Sequence, residues 1–343
     1  MNLAQAIEHA SAFVFPGFLV GDDALDEERR RNEEAISLLA QAWWEAPLGA
    51  EPFPFDLVRS LADRNREICD LYGADRLRDT AGLNLSRRLS DDDLVRAVAW
   101  LQRRAPEEVA RSAGRDLRDL GISMLEAPVG GTVAAFDIET TSKDPDRGYV
   151  INMGIALCEL APKARPTSAH AAYFGIPEQP YAEKGVPLSE IHHISWSDLK
   201  GKTPFRQDTK AQKALLAAFE TLPLMAHNAA FEDSWMMLNL NGYAEARKAG
   251  KIVVIDTRDI CRRIDVDVRS LPRESSPASL ENWALRRKTL KRGQKERHLG
   301  LDDVTLMLDT VIAEFSERKM FPGQRDEAGE TQQDTKPRRR KNP

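Results

Sequence analysis

Two carboxylates end an apolar segment near the middle of the chain. The stretch AAFDIETTS, residues 134–142, has the composition of a buried β-strand, and strand alternation points Asp137 and Glu139 to the same side. Neighbouring carboxylates repel each other, and burying them is costly unless positive charge lies between them. A DxE pair alone is common by chance, so the rest of the sequence must supply the reason for this one.

Two later segments add further acids and a histidine. In LMAHNAAFEDSW, residues 224–235, Glu232 and Asp233 lie just inside a helix that follows a strand. In RHLGLDDV, residues 297–304, His298 immediately precedes another helix and Asp303 lies in its first turn. Acids in a first turn also complement the helix dipole, so each one alone has a structural explanation. Their combination and order favour a shared site.

Three motifs carry a resemblance to a known family. FDIETT (136–141), HNAAFE (227–232) and HLGLDD (298–303) resemble the DxET, HNAxFD and HxxxxD motifs of the DnaQ-like (DEDDh) 3′→5′ exonucleases. The segments INMGIAL, IHHIS and IDTRDICRR add support, and the resemblance covers about residues 130–318. It implies an α/β fold, an RNase H-like mixed five-stranded sheet with flanking helices, preceded here by an all-α N-terminal domain.

The resemblance also implies a reaction. Asp137, Glu139, the second-motif acid and Asp303 would be catalytic residues that hold two divalent cations, and His298 would be the general base. Two metal ions about 3.5–4 Å apart can stabilise the attacking and leaving oxygens of phosphodiester hydrolysis. Oxygen ligands suit Mg²⁺, with Mn²⁺ as the expected substitute. The cations would offset the repulsion between the paired acids of the first motif.

The second motif departs from the family pattern, because Glu232 stands where the family has Asp and is followed by Asp233. At about 100° per residue, Phe231 and Trp235 belong to the buried stripe of the helix, Glu232 flanks that stripe and Asp233 points nearly opposite. This geometry favours Glu232 as the ligand and leaves Asp233 as the alternative. The longer side chain also leaves open a weakly active or non-catalytic protein.

Other residues near the motifs are candidates for substrate binding. Ile138, Thr140 and Thr141 would cradle the terminal nucleotide, although the two threonines fit the end of a strand equally well. His227, Asn228 and Phe231 are further candidates, of which the first two also fit the strand-to-helix turn. His192 and His193 are adjacent, which is a poor geometry for a metal chelate. The basic stretch 286–298 fits either a solvated helix face or capture of a nucleic-acid strand.

Composition divides the chain near residue 127. Residues 1–130 have 24 acids, 16 Arg and no Lys, a balance of −8, whereas the total is −5, so the remainder carries +3. Helical periodicity dominates the first part, with Ser90 as a predicted N-cap. We predict a helical accessory domain over 1–127, the exonuclease domain over 128–320, and a disordered charged tail over 321–343. The tail ends in a basic run that fits solvent better than a phosphate contact.

The remaining features restrict compartment and partners. The three cysteines are widely spaced and lack a CxxC pattern, which favours a reducing cytoplasm and argues against a disulfide framework or a zinc site. No apolar run reaches membrane-spanning length, so no membrane partner is expected. The expected substrate is a single-stranded or frayed 3′ end, DNA more than RNA, cleaved to 5′-mononucleotides. An RNA-trimming nuclease like RNase T or oligoribonuclease, or a non-catalytic nucleic-acid or polymerase-binding module, stays open. The helical first domain is the expected site for a polymerase or another replication or repair partner.

Overall fold

The structure is a computed structural model that describes residues 1–14, 22–49, 51–72, 85, 89–113, 128–272 and 275–324. Most of the predicted tail, residues 325–343, lies outside the described residues. Within them, Phe321 is buried against Phe315, so the ordered core includes the first residue that the sequence assigned to the tail. No described helix combines the length and the apolar character needed to cross a membrane.

Five strands form one mixed sheet, as predicted. They are β1 (Thr132–Thr140), β2 (Val150–Glu159), β3 (Ser168–Tyr173), β4 (Leu224–Ala226) and β5 (Val254–Asp256). Their spatial order is β3-β2-β1-β4-β5. The first three strands form antiparallel pairs, whereas β4 runs parallel to both β1 and β5. The sheet is mixed and five-stranded with flanking helices, so the expected α/β architecture is confirmed.

Helices precede the sheet and cover it. The N-terminal part has α1 (Leu3–Ser11), α2 (Asp22–Glu45), α3 (Phe55–Tyr72), α4 (Asp91–Gln102) and α5 (Pro106–Ala113). Those between β3 and β5 are α6 (Glu178–Lys184), α7 (Ser189–His192), α8 (Trp196–Leu199), α9 (Thr209–Thr221), α10 (Ala230–Asn239) and α11 (Tyr243–Lys248). Those after β5 are α12 (Thr257–Ile264), α13 (Val266–Ser270), α14 (Leu280–Arg287) and α15 (Gly300–Glu317). Ser90 caps α4 in a capping box, as predicted.

The alternation of β1 divides the core between the two faces of the sheet. Ala134, Phe136 and Ile138 point to one face, where they share a hydrophobic core with α1, α2, α3, α9, α10 and α11. Val133 and Ala135 point to the other face, where the core includes α4, α12, α14 and α15. By the same alternation Asp137 and Glu139 belong to the face of α15.

The N-terminal helices also hold the loop that follows β1. Asn65 Nδ2 donates to Asp146 Oδ2 at 2.7 Å, and Arg66 donates to the carbonyl oxygens of Gly148 and Pro145 at 2.6 and 2.5 Å. Buried guanidinium donors of this kind fix a loop because leaving them unpaired is costly. The described N-terminal helices therefore pack directly against the sheet domain, and a separate accessory domain over residues 1–127 stays a prediction.

Candidate metal centre

Strand β1 presents the first two acids. Asp137 lies opposite Gly154 of β2, and Glu139 lies opposite Asn152, just before a register irregularity between Glu139 and Thr140. Both carboxylates are half-buried. Because they are two residues apart on one extended strand, they reach the same side of the sheet, as the sequence predicted.

A pair of glycines brings α15 down onto these strands. A Cβ on Gly154 would lie 2.1 Å from the carbonyl carbon of Gly300, the first residue of α15, so neither position has room for a side chain. The Gly300 N–H also donates to Asn152 Oδ1 at 3.0 Å. This close approach sets the start of α15, and with it Asp303, beside the two acids of β1. Neither glycine was predicted to have this role from the sequence.

Asp303 and His298 join Glu139 in one cluster. One carboxylate oxygen of Glu139, one of Asp303 and one ring nitrogen of His298 lie within 4.8 Å of one another. His298 Nδ1 is 3.9 Å from Asp303 Oδ2, and the imidazole side chain is 42% exposed. His298 has a φ of +50°, an uncommon conformation for a non-glycine residue. The histidine thus lies at the mouth of the cluster, with access to solvent.

Glu232 belongs to the same cluster of acids, whereas the Asp233 side chain is paired with other residues. Glu232 is 3% exposed, and its charge has the largest electrostatic effect on Asp137. Asp233 instead accepts hydrogen bonds from the Tyr243 hydroxyl at 2.6 Å and from Arg247 Nε at 3.1 Å. The two adjacent acids therefore have different surroundings: Glu232 adjoins the acids of β1, and Asp233 is paired within the packing of α10 against α11.

Burial and mutual repulsion raise the pKa of every acid in the cluster. The pKa of Asp137 is well above its ordinary value because of burial, followed by the charges of Glu232, Glu139 and Asp303. Burial and the charge of Glu296 raise the pKa of Glu139 and of Asp303 to about 8 each. Burial also raises the pKa of Glu232. A positive charge among these side chains would stabilise their ionised forms.

The cluster has the properties of a divalent cation site. Glu232 Oε2 and Asp303 Oδ1 are buried atoms without a hydrogen-bond partner among the described residues. An unpaired buried carboxylate oxygen is unfavourable in a native protein and calls for an ion or water. Carboxylate oxygens are the ligands that Mg²⁺ and Mn²⁺ prefer. The residues present therefore fit a divalent metal ion.

The remaining predicted binding residues lie around this cluster, with varied contacts. Ile138 and Thr140 are buried at the end of β1, and Thr140 Oγ1 donates to the Ser142 carbonyl at 2.5 Å. Thr141 Oγ1 accepts from the Tyr149 N–H at 2.9 Å, which is the strand-ending role that the sequence left open. Phe231 is half-buried and packs against Trp235 with the ring centroids 6.0 Å apart.

The predicted histidines outside the cluster have structural contacts. His227 lies 3.0 Å from both Thr257 Oγ1 and the Ala278 carbonyl, and burial lowers its pKa to about 4. Asn228, at a φ of +69°, receives a hydrogen bond from Arg258 at 2.9 Å and forms the turn after β4. His192 is buried and accepts from the Ile194 N–H at 3.0 Å.

Sequence reasoning missed one acid near the cluster. Glu296 is half-buried, its charge acts on Asp137, Glu139 and Asp303, and burial raises its own pKa to about 7. It lies in the stretch before His298 that was interpreted only as basic, because Lys and Arg residues surround this acid. Its position two residues before a candidate catalytic histidine was the available signal.

Comparison with known proteins adds a distant structural likeness. No family model and no curated protein sequence matches the chain. Among solved structures, the zinc ion-bound form of the E. coli ExoI–ssDNA complex matches with 13% sequence identity and a TM-score of 0.41. The match covers 58% of this chain and 43% of that chain, so this chain matches less than half of the ExoI chain.

Proposed function

We propose that the protein is a metal-dependent 3′→5′ exonuclease that hydrolyses single-stranded or frayed nucleic-acid ends to 5′-mononucleotides. One observation carries this proposal: Asp137, Glu139, Glu232 and Asp303, which come from three distant segments of the chain, form one electrostatic cluster beside His298. Such a gathering of buried acids has no counter-charge among its own members. It is therefore costly to the fold unless it serves a ligand.

The four carboxylates would hold the metal ions, with Mg²⁺ the expected species. When bound, such ions polarise the scissile phosphate and stabilise the charge that develops on its oxygens. The role of the chain is to fix the carboxylates: β1 holds Asp137 and Glu139, α10 holds Glu232, and α15 holds Asp303. The pairing of Asp233 with Tyr243 and Arg247 supports Glu232 as the second-motif ligand.

His298 is suited to accept a proton from the attacking water. Burial lowers the pKa of its imidazole, so the neutral form that can act as a base dominates at neutral pH. Its side chain is partly exposed at the edge of the cluster, where water and substrate can reach it. The Asp303 carboxylate lies close to the imidazole, with its Oδ2 3.9 Å from His298 Nδ1.

The 3′ terminal nucleotide would bind where β1 ends. The backbone around Ile138 and Thr140 flanks Glu139, and the exposed cations Lys291, Arg292 and Lys295 lie in the segment that precedes His298. Positive side chains beside a metal site attract the strand, and their contribution weakens with salt. A single strand is required, because the terminal base must leave the duplex to be surrounded by protein.

Digestion of matched DNA and RNA oligonucleotides tests the proposal. Oligonucleotides with a 5′ fluorophore should shorten from the 3′ end with Mg²⁺ and stay intact with EDTA, and a 3′-phosphate should slow the reaction. H298A should lose the activity, whereas H170A, which changes an exposed histidine on β3, should keep it. Strand binding without cleavage under any divalent metal would instead identify a non-catalytic binding module. The DNA and RNA arms decide which nucleic acid is the substrate.

A further inference from the structure

A cavity lies apart from the carboxylates, between the N-terminal helices and the sheet. Its volume is about 460 Å³, and its walls come from α3, the start of β2 and the turn at Phe205–Gln207. The polar residues that line it are Asp63, Arg66, Tyr149, Arg206, Gln207 and Asn239. Nothing in the proposed reaction uses these residues.

Arg206 has one hydrogen-bond donor group without a partner among the described residues. Its Nε donates to Asn239 Oδ1 at 2.8 Å and its Nη1 donates to Asp63 Oδ1 at 2.6 Å. Its Nη2 is buried and has no hydrogen-bond partner among the described residues. A guanidinium presents its donors in a fixed planar fork, so two held nitrogens aim the third. Leaving that donor unpaired is costly. Because the atom has no exposed surface, a ligand in the cavity pairs with it only after the side chain shifts toward the cavity.

Positive charge exceeds negative charge around this side chain. The same Asp63 oxygen also accepts from Arg66 Nη1 at 2.6 Å, so one carboxylate is shared by two guanidinium groups. Burial and the charges of Arg66 and Arg59 lower the pKa of Arg206 to about 9, although Asp63 opposes them. Arg206 is still protonated at neutral pH. The cavity therefore attracts an anion.

We propose that this cavity binds a phosphate group, which the free Nη2 of Arg206 contacts. Guanidinium groups match the planar arrangement of phosphate oxygens and form short, charge-assisted hydrogen bonds with them. Arg66 supports the site indirectly, because its other donors are bound to the carbonyls of Gly148 and Pro145. Arg206 is thus the residue that contacts the ligand, and Arg66 and Asn239 position it.

The location of the cavity suggests two sources for the phosphate. Tyr149 in its wall is hydrogen-bonded to Thr141, and Val150 pairs with Thr140, so the cavity begins next to the end of β1. Thr141 follows Glu139 by two residue steps of extended chain, a span of about 7 Å. The phosphodiester of a strand held at the carboxylates could reach this cavity, a possibility that rests on the proposed function. A free mononucleotide could also enter from solvent.

Binding measured in EDTA separates this site from the metal centre. The full chain is titrated with fluorescein-labelled dT12 by anisotropy, and with dTMP and inorganic phosphate by calorimetry. R206Q should weaken the binding of the phosphate-containing ligand about tenfold, which equals about 1.4 kcal/mol of binding free energy. If the ligand is the strand, its salt dependence should also fall by about 0.7 in the slope of log K against log salt. The control R165Q, which removes an exposed arginine on the loop before β3, should bind as wild type does.

A second pair of variants keeps the test informative if R206Q does not fold. Gln207 is exposed at the cavity, and its side chain makes no hydrogen bond among those found in the described residues. Q207E should weaken binding and Q207K should strengthen it. An effect confined to dT12 assigns the phosphate to the strand, and an effect confined to dTMP assigns it to a mononucleotide. Unchanged affinities for every ligand in R206Q or in both Gln207 variants would overturn the proposal, whether or not the protein cleaves nucleic acid with Mg²⁺.

Discussion

Replacement of Gly154 by Ala tests whether the contact between β2 and α15 assembles the metal centre. The added Cβ would lie 2.1 Å from Gly300 C and 2.2 Å from Leu301 N, both of them backbone atoms. An ordinary contact begins near 3.4 Å, so α15 must retreat by 3.4 − 2.1, or 1.3 Å. Neither atom belongs to a flexible side chain that could turn away. The strain therefore moves the whole start of the helix.

That displacement should reach Asp303 directly. Asp303 lies one turn into α15, whereas Glu139 stays on β1, so G154A should widen the separation of these two ligands by about the same distance. A misplacement of about 1 Å can reduce a catalysed rate by about 100-fold. Overpacking of this kind also costs about 1–3 kcal/mol of stability. We expect kcat for oligonucleotide digestion to fall about 100-fold and Mn²⁺ affinity, measured by electron paramagnetic resonance, to weaken in parallel.

G130A is the matched control. A Cβ on Gly130 would have its nearest contact at 3.7 Å, an ordinary van der Waals distance. G130A should therefore keep both activity and Mn²⁺ affinity, and a denaturant titration of each variant separates loss of folding from loss of geometry. If folded G154A digests oligonucleotides at the wild-type rate with wild-type Mn²⁺ affinity, the reasoning about the glycine contact is wrong.

Three further predictions concern the ionisable groups. E232Q should abolish cleavage without lowering the free energy of unfolding in EDTA. D233A should still cleave, but its free energy of unfolding should fall by about 3 kcal/mol, since the change removes one partner of a buried ion pair. The reverse pattern of cleavage would reassign the ligand to Asp233. Activity should rise with pH through a His298 pKa below 6.5, and H298Q should lose that dependence together with about 10²–10⁴ in rate. In EDTA, the melting temperature should fall between about pH 4 and pH 8, because the unfolded carboxyl of Asp303 ionises near 3.8 while the folded one resists to about 8. D303N should flatten that slope, and a wild-type slope of the opposite sign would contradict the assigned repulsion.

Local patterns carried much of the fold. The alternation of β1 predicted both the strand and the common side of Asp137 and Glu139, because a period of two is set by backbone geometry alone. The helical period of α10 was a poorer guide, because Asp233, expected opposite the buried stripe, is buried, and Phe231, assigned to that stripe, is only partly buried. Ser90 was predictable as a cap because its contacts lie within three residues.

Contacts between distant segments were not predictable. The Gly154–Gly300 approach joins residues far apart in sequence, and neither glycine has a positive φ that would mark it as a special turn position. Glu296 acts on Asp137 and Glu139, which lie far from it in the sequence. The unsatisfied Nη2 of Arg206 depends on Asp63 and Asn239, two residues from different helices. In each case the determining quantity is a distance that a single sequence does not specify.

The difference in charge between the two parts of the sequence has a structural explanation. A balance of −8 before residue 130 and +3 after it predicted a boundary between domains. In the structure, acids of the first part pair with arginines of the second: Glu33 with Arg147, Asp93 with Arg247 and Asp63 with Arg206. All three arginine side chains are at least four-fifths buried, so breaking these pairs would leave costly unpaired charge. The difference in net charge thus reflects ion pairing between segments that pack against each other. Through these pairs the N-terminal helices help to shape the β1–β2 loop next to the carboxylates.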